Sequence, residues 1–346
     1  MKLLNSALTL AALLAATTTL ANTATLEQTG NDNQGTIDQT GAGHTATLIQ
    51  RYVNAVGSIV QADTGHVAYV EQGNESTVTV EQSGSSQIAN VYHDSDNHQT
   101  SVVQSGAENR LELRQADDDG SGGYHTAVIS QTGYQNAYQI EQVWAVASLT
   151  ASSDGDLNTV QVLQNGIGVS GTISQVGNEN AVSLDQNFSG TATLTQVGDR
   201  NQMDVRQGGL ESPNAVLTQS GNDNQMTANV QHKFNELYFD QIGDRNTLDA
   251  VVSGRSSSLR GFSQGDDNGV DAIVSGDINV ATIEQTGSSN TAYLRAQGHG
   301  LDSSIIQTGN GNQASLTHGS YDSGYGSSAA IVQVGDGHVA NVVQRD

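Results

Sequence analysis

The chain has 346 residues, of which 39 are Gly, 1 is Pro and 0 are Cys, and its formal net charge is −24. The absence of Cys excludes a disulfide scaffold and cysteine-based zinc sites. The acidic excess argues against nucleic acid as a partner, because binding phosphates requires clustered Lys and Arg. Aromatic residues make up only 4% of the chain, which argues against two ordinary globular cores. Such a composition also suits a disordered chain, but the order of the residues predicts a regular structure.

The first 21 residues predict a secretory signal peptide. A single early Lys precedes an apolar run over Ala7–Ala16, and small residues stand at Thr19 and Ala21. The run is shorter than the roughly 20 residues that a membrane-spanning helix needs. We therefore expect cleavage after Ala21, export through the periplasm, and one repeat domain over residues 22–346.

A Gln recurs about every eleven residues from Gln28 to Gln344, which indicates a repeat architecture. An Asn usually stands six residues before the next Gln. The clearest of these amide positions are Gln28, Asn33, Gln39, Gln131, Asn136, Gln142, Gln175, Asn180 and Gln186. Later members of the same series are Gln231, Gln264, Ser275 and Gln297. The intervals 142–164 and 241–264 are double steps.

Each repeat predicts a tight arc followed by a strand. A Gly two residues after the Gln provides a position that tolerates positive φ, as at Gly30, Gly133, Gly177 and Gly287. Polar and apolar residues then alternate, which is typical of a half-buried strand. Asn109–Gln115 is an example, with Asn, Leu, Leu and Gln on one side and Arg, Glu and Arg on the other.

These repeats predict an all-β, two-sided β-solenoid built from strand-arc-strand units. Arcs this short cannot form a wide barrel, so successive units stack into about 14 turns of about 22 residues each. The inward Gln and Asn side chains then meet their equivalents in neighbouring turns. We expect them to form amide ladders of the cross-β kind, with a spacing of about 4.8 Å.

The unit Gln-x-Gly-x-x-Asn-x-(Ala/Val)-x-x-x-Gln, seen in Gln131–Gln142 and Gln175–Gln186, resembles the curlin repeat. The resemblance implies a non-enzymatic, secreted subunit of curli, the functional amyloid fibres (a fimbrium-like structure) of bacterial biofilms, with roles in cell adhesion and aggregation. It also implies two kinds of partner besides self-association. These are an outer-membrane curli export machinery and a nucleating curlin homologue at the cell surface.

The two ends of the repeat region predict open, polymerising surfaces. We expect Leu26 and Ile37 to point inward at the N-terminal end, and Ala340, Val342 and Gln344 to do so at the C-terminal end. A repeat-matched surface at each end favours head-to-tail growth of a filament, because such a contact does not close. The acidic residues of the arcs either slow this association or only keep an exported chain soluble.

The 9 His residues raise the question of a metal site. Five stand where Asn normally stands, namely His44, His66, His98, His125 and His338. His93 and His318 occupy Gln positions, and His232 and His299 have no assigned place. We interpret the first seven as hydrogen-bonding substitutes within the ladders, with metal binding as the alternative.

Other functions remain as alternatives. The acidic segments 117–119 and 265–268 could suggest calcium, but the series Gly-Gly-x-Gly-x-Asp of calcium β-rolls is absent. No Gly-x-Ser-x-Gly elbow indicates a hydrolase. A monomeric ice-binding or surface-binding solenoid is suggested by Thr45/Thr47 and Thr191/Thr193, although we do not expect Thr to recur in register along one face. A minor, nucleating curlin is the nearer alternative to a major fibre subunit.

Overall fold

The computed structural model describes residues 21–117, 123–209, 211–319 and 326–345. These residues contain 26 β-strands, all paired in parallel, that wind into about 14 turns of a β-solenoid. The described residues contain no helix that is long and apolar enough to cross a membrane. The predicted all-β solenoid is confirmed. Residues 1–20 of the predicted signal lie outside the described residues, so the signal and the boundary of the repeat domain stay predictions.

The strands form two stacks on opposite sides of the solenoid, and each turn contributes one strand to each stack. The first stack consists of β1 (Thr23–Gln28), β3 (Thr45–Gln50), β5 (Val67–Gln72), β7 (Ile88–His93), β9 (Arg110–Ala116), β14 (Gln202–Gly209), β16 (Gln225–Gln231), β18 (Thr247–Val252), β20 (Gly269–Asp277), β22 (Thr291–His299), β24 (Gln313–Gly319) and β26 (Val339–Arg345). The second stack consists of β2 (Gln34–Ala42), β4 (Val56–Thr64), β6 (Thr77–Ser85), β8 (Gln99–Ala107), β10 (Tyr124–Tyr134), β15 (Asn214–Ser220), β17 (Glu236–Ile242), β19 (Ser258–Gln264), β21 (Val280–Thr286), β23 (Asp302–Thr308) and β25 (Ser328–Val334). Three longer strands, β11 (Ala137–Asp154), β12 (Thr159–Val176) and β13 (Ala181–Val197), run through both stacks.

Neighbouring turns pair in register, so that equivalent residues lie above one another. Leu26 pairs with Leu48 in the first stack, and Ile37 pairs with Ile59 in the second. At about 4.8 Å per turn, about 14 turns give a rod of roughly 65–70 Å.

The core is a narrow layer between the two stacks. In β3, for example, Ala46, Leu48 and Gln50 are fully buried, whereas the alternate residues face outward. The same alternation runs along nearly every strand because the side-chain period of a strand is two. Each strand therefore buries about two apolar side chains, which explains how a chain so poor in aromatic residues forms a core.

Columns of Gly form the arcs. On the edge where the chain passes from the second stack to the first, Gly133, Gly177 and Gly287 have φ of 114°, 113° and 112°. A Cβ at any of these three positions would lie 2.1 Å from the backbone oxygen of the Gly one turn further on. Gly30, on the opposite edge, has φ of 102° and would clash in the same way with the backbone oxygen of Tyr52.

Four later ladder positions were predicted one residue too late. The residues that face inward are Val230, Ser263, Val274 and Ala296, whereas Gln231, Gln264, Ser275 and Gln297 lie on the outward side. The alternation of apolar residues decides the phase, because Met226, Ala228 and Val230 are all buried on one side of β16. The two double steps are also filled, by the buried residues Ser153 and Val252.

Candidate assembly interface

A ladder of Gln side chains lines the first stack. Where Gln follows Gln, Nε2 donates to the Oε1 atom of the Gln in the next turn, over 2.7 Å from Gln142 to Gln164 and 2.8 Å from Gln164 to Gln186. His93 interrupts this ladder between Gln72 and Gln115. Gln28 starts the ladder by donating to Gln50 over 2.7 Å. The ladder stops at Gln207, which pairs with Val230, and the next three turns also place apolar residues there.

The second stack carries a longer Gln ladder. Gln39 donates to Gln61 over 2.8 Å at one end, and Gln307 donates to Gln333 over 2.9 Å at the other. Gln131 is fully buried in this ladder, and Gln175 donates to Gln196 over 3.0 Å. Ser153 replaces Gln in one turn and donates to Gln175 over 2.8 Å. The rule for this column is thus a buried hydrogen-bonding side chain in every turn, rather than a strict Gln.

A third ladder precedes the strands of the first stack, where Asn side chains bond to the backbone of the next turn. The backbone N–H of Asn158 donates to Oδ1 of Asn136 over 2.9 Å, and that of Asn180 donates to Oδ1 of Asn158 over 3.0 Å. Both Asn136 and Asn180 are fully buried. In the second stack, Asn33 accepts from the N–H of Ala55 over 2.9 Å in the same way. Burying these donors without an acceptor would cost about 1–3 kcal/mol each.

His replaces Asn in this ladder without changing its hydrogen bonds. Nδ1 of His44 accepts from the backbone N–H of His66 over 3.3 Å, while Nε2 of His44 lies 3.0 Å from the carbonyl oxygen of Thr40. Nδ1 therefore takes the place of the Asn oxygen, and the protonated Nε2 takes the place of the Asn NH₂ group. The structure places His98 and His125 in equivalent positions of the second stack. His338 occupies an Asn position, and its N–H donates to Asn312.

Burial favours the neutral ring at His66, His93, His98 and His125. Burial lowers the pKa of His66, of His125 and, more strongly, of His98, for which it falls to about 3. Burial holds the pKa of His93 well below its usual range, and Nε2 of His93 contacts Oγ1 of Thr100 at 2.9 Å. His318 is buried in a Gln position, whereas His232 is exposed on an arc and His299 is exposed at the end of β22.

A fourth ladder, on the arcs, was missed by the sequence analysis. The residue after the arc Gly accepts from the backbone of the preceding turn, as when Asp199 Oδ1 accepts from the N–H of Asn178 over 2.8 Å and Asp266 Oδ1 accepts from that of Asp244 over 2.9 Å. In this arc ladder the side chain accepts from the backbone of the preceding turn, whereas in the Asn ladder it accepts from the backbone of the following turn. The recurring pair Gly-Asp or Gly-Asn was the signal that could have revealed it. These acids therefore support the fold as well as adding charge.

The acidic segments do not form an ion-binding cluster in the part of the chain that the structure describes. Asp266 belongs to the arc ladder, and Asp267 forms an ion pair with Arg245 at 2.7 Å. No group of three or more His, Asp or Glu side chains among the described residues is arranged to hold a metal ion. Residues 118 and 119 lie outside the described residues.

The N-terminal end of the rod presents part of the core to solvent. Leu26 points along the inward face of β1 but is 45% exposed, whereas its partner Leu48 in the next turn is fully buried. Ile37 is partly buried against the core from β2. Gln28 and Gln39 lie at this end as the first members of the two Gln ladders.

The C-terminal end presents a matching set of side chains. Ala340 and Val342 of β26 are partly buried against the core, and Gln344 pairs with His318 of β24. The second stack ends on β25, where Ala329, Ile331 and Gln333 face inward. The C-terminal surface predicted from the sequence held only residues of β26, whereas the last turn has two sides and β25 forms the other one.

The model of the curlin associated repeat matches residues 21–51, which cover β1, the following arc, β2 and β3. Residues 21–51 of the chain therefore carry a curlin associated repeat. No curated protein matches the chain. The strands that follow this matched unit stack on it in the same register, β4 on β2 and β5 on β3. Curlin repeats are structural and non-enzymatic.

Proposed function

We propose that this protein is a structural subunit of extracellular curli-type amyloid fibres and polymerises head to tail. The proposal rests mainly on one observation, the match between the two end turns. The inward residues of β1 are Ala24, Leu26 and Gln28, and those of β26 are Ala340, Val342 and Gln344. The first stack has 15 strand segments and the second has 14, so an added copy continues both stacks only after a half-turn about the rod axis, with its β1 on β25 and its β2 on β26.

Both stacks then continue in register. Leu26 and Gln28 of β1 would meet Ile331 and Gln333 of β25, just as Ile305 and Gln307 of β23 meet them inside the chain. The Gln ladder runs from Nε2 to Oε1 toward the C-terminus, so Gln333 would donate to Gln28 of the next copy. Burying an exposed side chain such as Leu26 contributes roughly 1.5–3 kcal/mol.

The localisation and the partners follow from the family. Curlin proteins are generally components of extracellular curli fibres. We propose the same location for this chain, with export across the outer membrane and growth on a nucleating homologue. The roles in biofilm formation, adhesion and aggregation belong to this proposal.

Deleting the gene tests the alternative that this protein is a minor nucleator. Loss of all fibres indicates the major subunit. Loss of only the attachment of fibres to the cell surface indicates the nucleator.

Two end-blocking variants test the head-to-tail contact. Val342→Asp places a charge in the last inward face, whereas Val343→Asp places it on the adjacent, 53% exposed outward position. We expect V342D to abolish thioflavin-positive filaments and V343D to form them. Leu26→Asp should block the opposite end, with Thr25→Asp as its outward control.

Mixing the two blocked variants makes the test sharper. L26D and V342D each keep one intact end, so an equimolar mixture should form dimers that grow no further, which sedimentation can detect. Wild-type chains that stay monomeric at high concentration, or filaments that form equally from V342D, would contradict the proposal.

A further inference from the structure

One side of the rod carries a strip of Ser and Thr without any charge. In the second stack, the outward positions of Ser148–Ser152, Ser170–Ser174 and Thr191–Thr195 are all Ser or Thr. The three segments pair in register, with Thr150 opposite Thr172 and Thr172 opposite Thr193. This finding corrects the expectation that Thr would not recur in register. The recurrence is not visible in the sequence alone, because Ser alternates with Thr along the strands and because the arcs between the strands differ in length.

The uncharged strip extends over six strands, from β8 through β10, β11, β12 and β13 to β15, and is three outward positions wide, because the next outward position of β11 is Asp154. We call it the hydroxyl face. Its flanking strands carry outward acids, Glu81 in β6 on one side and Glu236 and Asp240 in β17 on the other. The first stack differs over the same turns, since its outward positions include Glu112 and Asp204. At about 4.8 Å per strand the hydroxyl face is roughly 29 Å long.

We infer that the hydroxyl face is the surface through which two copies of this chain pair side by side. The inference rests on the proposed fibre function, because it concerns how filaments associate laterally. A chain with a net charge of −24 repels its copies over most of its surface. Two rods can approach closely only where neither presents charge, and the hydroxyl face is such a region.

The chemistry of the face favours a second copy over other occupants. Ser and Thr are small, so two such sheets can pack about 10 Å apart as a dry, interdigitated interface. Thr methyl groups and the exposed side chains of Val103 and Val128 supply apolar contact area. The aromatic rings at outward positions in this part of the second stack are Tyr124 and Tyr134, at the two ends of β10, so the centre of the face offers no ring on which a ring-shaped neutral ligand would stack.

The size of the face implies weak single contacts that add up. A face about 29 Å long and about 16 Å wide, the length of five strand residues, covers roughly 460 Å². This area is smaller than the roughly 800 Å² per partner of a typical stable interface. One pair of rods should therefore bind weakly, whereas two filaments present the face once per subunit and bind by avidity. The expected result is bundling of filaments without an effect on their growth.

The first test is a charge at the centre of the face. Thr172→Glu should leave filaments single in electron micrographs, while the wild type and Gln161→Glu form bundles of two or more. Gln161 is the matched control because it is exposed on the same strand, β12, but faces outward from the first stack. Equal bundling of T172E and Q161E would overturn the inference.

The second test does not depend on filaments. Because the chain has no Cys, Thr172→Cys and Gln161→Cys each introduce one thiol for a short bismaleimide cross-linker. In filaments, or in concentrated folded rods if no filaments form, we expect cross-linked dimers at least fivefold more abundant for T172C than for Q161C. Equal yields of cross-linked dimer from T172C and Q161C would overturn the side-by-side pairing. If no filaments form but T172C still gives a high yield of cross-linked dimer, the result counts against the proposed fibre function and not against the pairing. A third outcome would also overturn the pairing. If the two cysteine variants cross-link equally, and T172C but not T172E is retained on ice or on an insoluble neutral polysaccharide, the hydroxyl face binds that surface and not a second copy.

Discussion

The rings of His98 and His125 lie one turn apart with their centroids at 4.7 Å, and Nδ1 of His98 accepts a hydrogen bond from the backbone N–H of His125 over 3.3 Å. His93 packs edge-on against His98 at 5.4 Å. Three buried rings thus occupy neighbouring ladder positions, and a proton on Nδ1 of His98 would face an N–H donor instead of accepting from it.

This arrangement predicts that acid weakens the solenoid at these turns. Because the pKa of His98 is lowered from 6.5 to about 3, with burial as the main cause, the unfolded chain binds more protons below pH 6.5. Stability is therefore fully present above pH 6.5 and is lost as the pH falls toward 3. Between pH 6.5 and 4.5 we expect a loss of about 2–3 kcal/mol from this one residue.

The double variant His98→Asn with His125→Asn should reduce this loss, since Asn keeps the acceptor and does not titrate. Denaturant unfolding at pH 7 and pH 4.5 measures it, with His299→Asn as the exposed control. Neighbouring Asp117 opposes the effect of burial on both rings and is kept in every variant. An unchanged pH dependence in the double variant would contradict the assignment.

The Gln ladder predicts a graded series of stability losses. Gln164→Val removes the acceptor of Gln142 and the donor to Gln186, and should lower the free energy of unfolding by about 2–5 kcal/mol. Gln207→Val should cost less, because Gln207 already stacks on Val230 and receives only one ladder bond. Gln161→Val, on the outward side, should change stability by about 0.5 kcal/mol or less. Thermal and denaturant unfolding of the three variants measures the order, and equal losses would contradict a ladder.

The Gly columns predict a steric effect at a single site. In Gly287→Ala the new Cβ would lie 2.1 Å from the backbone oxygen of Gly309, at a φ of 112°. We expect a loss of about 3–5 kcal/mol and a shift of the adjacent turns. Gly311→Ala is the matched control, because Gly311 has φ of 65° and no atom lies within 4 Å of its added Cβ. Its cost should be about 1 kcal/mol. Circular dichroism during unfolding compares the two, and similar losses would count against the close approach of the turns.

Filament growth should accelerate with salt. The charge of −24 opposes the approach of each added subunit, and the Debye length falls from about 30 Å at 0.01 M to about 8 Å at 0.15 M salt. Seeded thioflavin kinetics over this range should show a rising elongation rate, with sucrose at equal osmolarity as the control. If the elongation rate does not change with salt, the acidic residues do not slow assembly. They then act only in the arc ladder and in keeping the chain soluble.

Much of this fold could be predicted because its rules are local. Alternation in Asn109–Gln115 indicates which side chains face inward, and the Gly after each Gln indicates where the chain bends. The fold class and the inward position of residues such as Gln142 and Asn136 follow from these signals. The same alternation, applied to Met226, Ala228 and Val230, would also have corrected the phase of the later positions.

The sequence by itself determined the repeat, the two-sided solenoid and the polar columns, because alternation and arc chemistry act within a dozen residues. Only the tertiary structure decided how turns about 22 residues apart are aligned. That alignment depends on the length of every arc and on irregularities such as the register shift between Val143 and Val146. It gives the Asn and arc ladders opposite directions, opposes Thr150 to Thr172 on the hydroxyl face, and assigns both β25 and β26 to the C-terminal end. Each of these features depends on how one turn is aligned with the next, and the hydrogen bonds between turns determine that alignment.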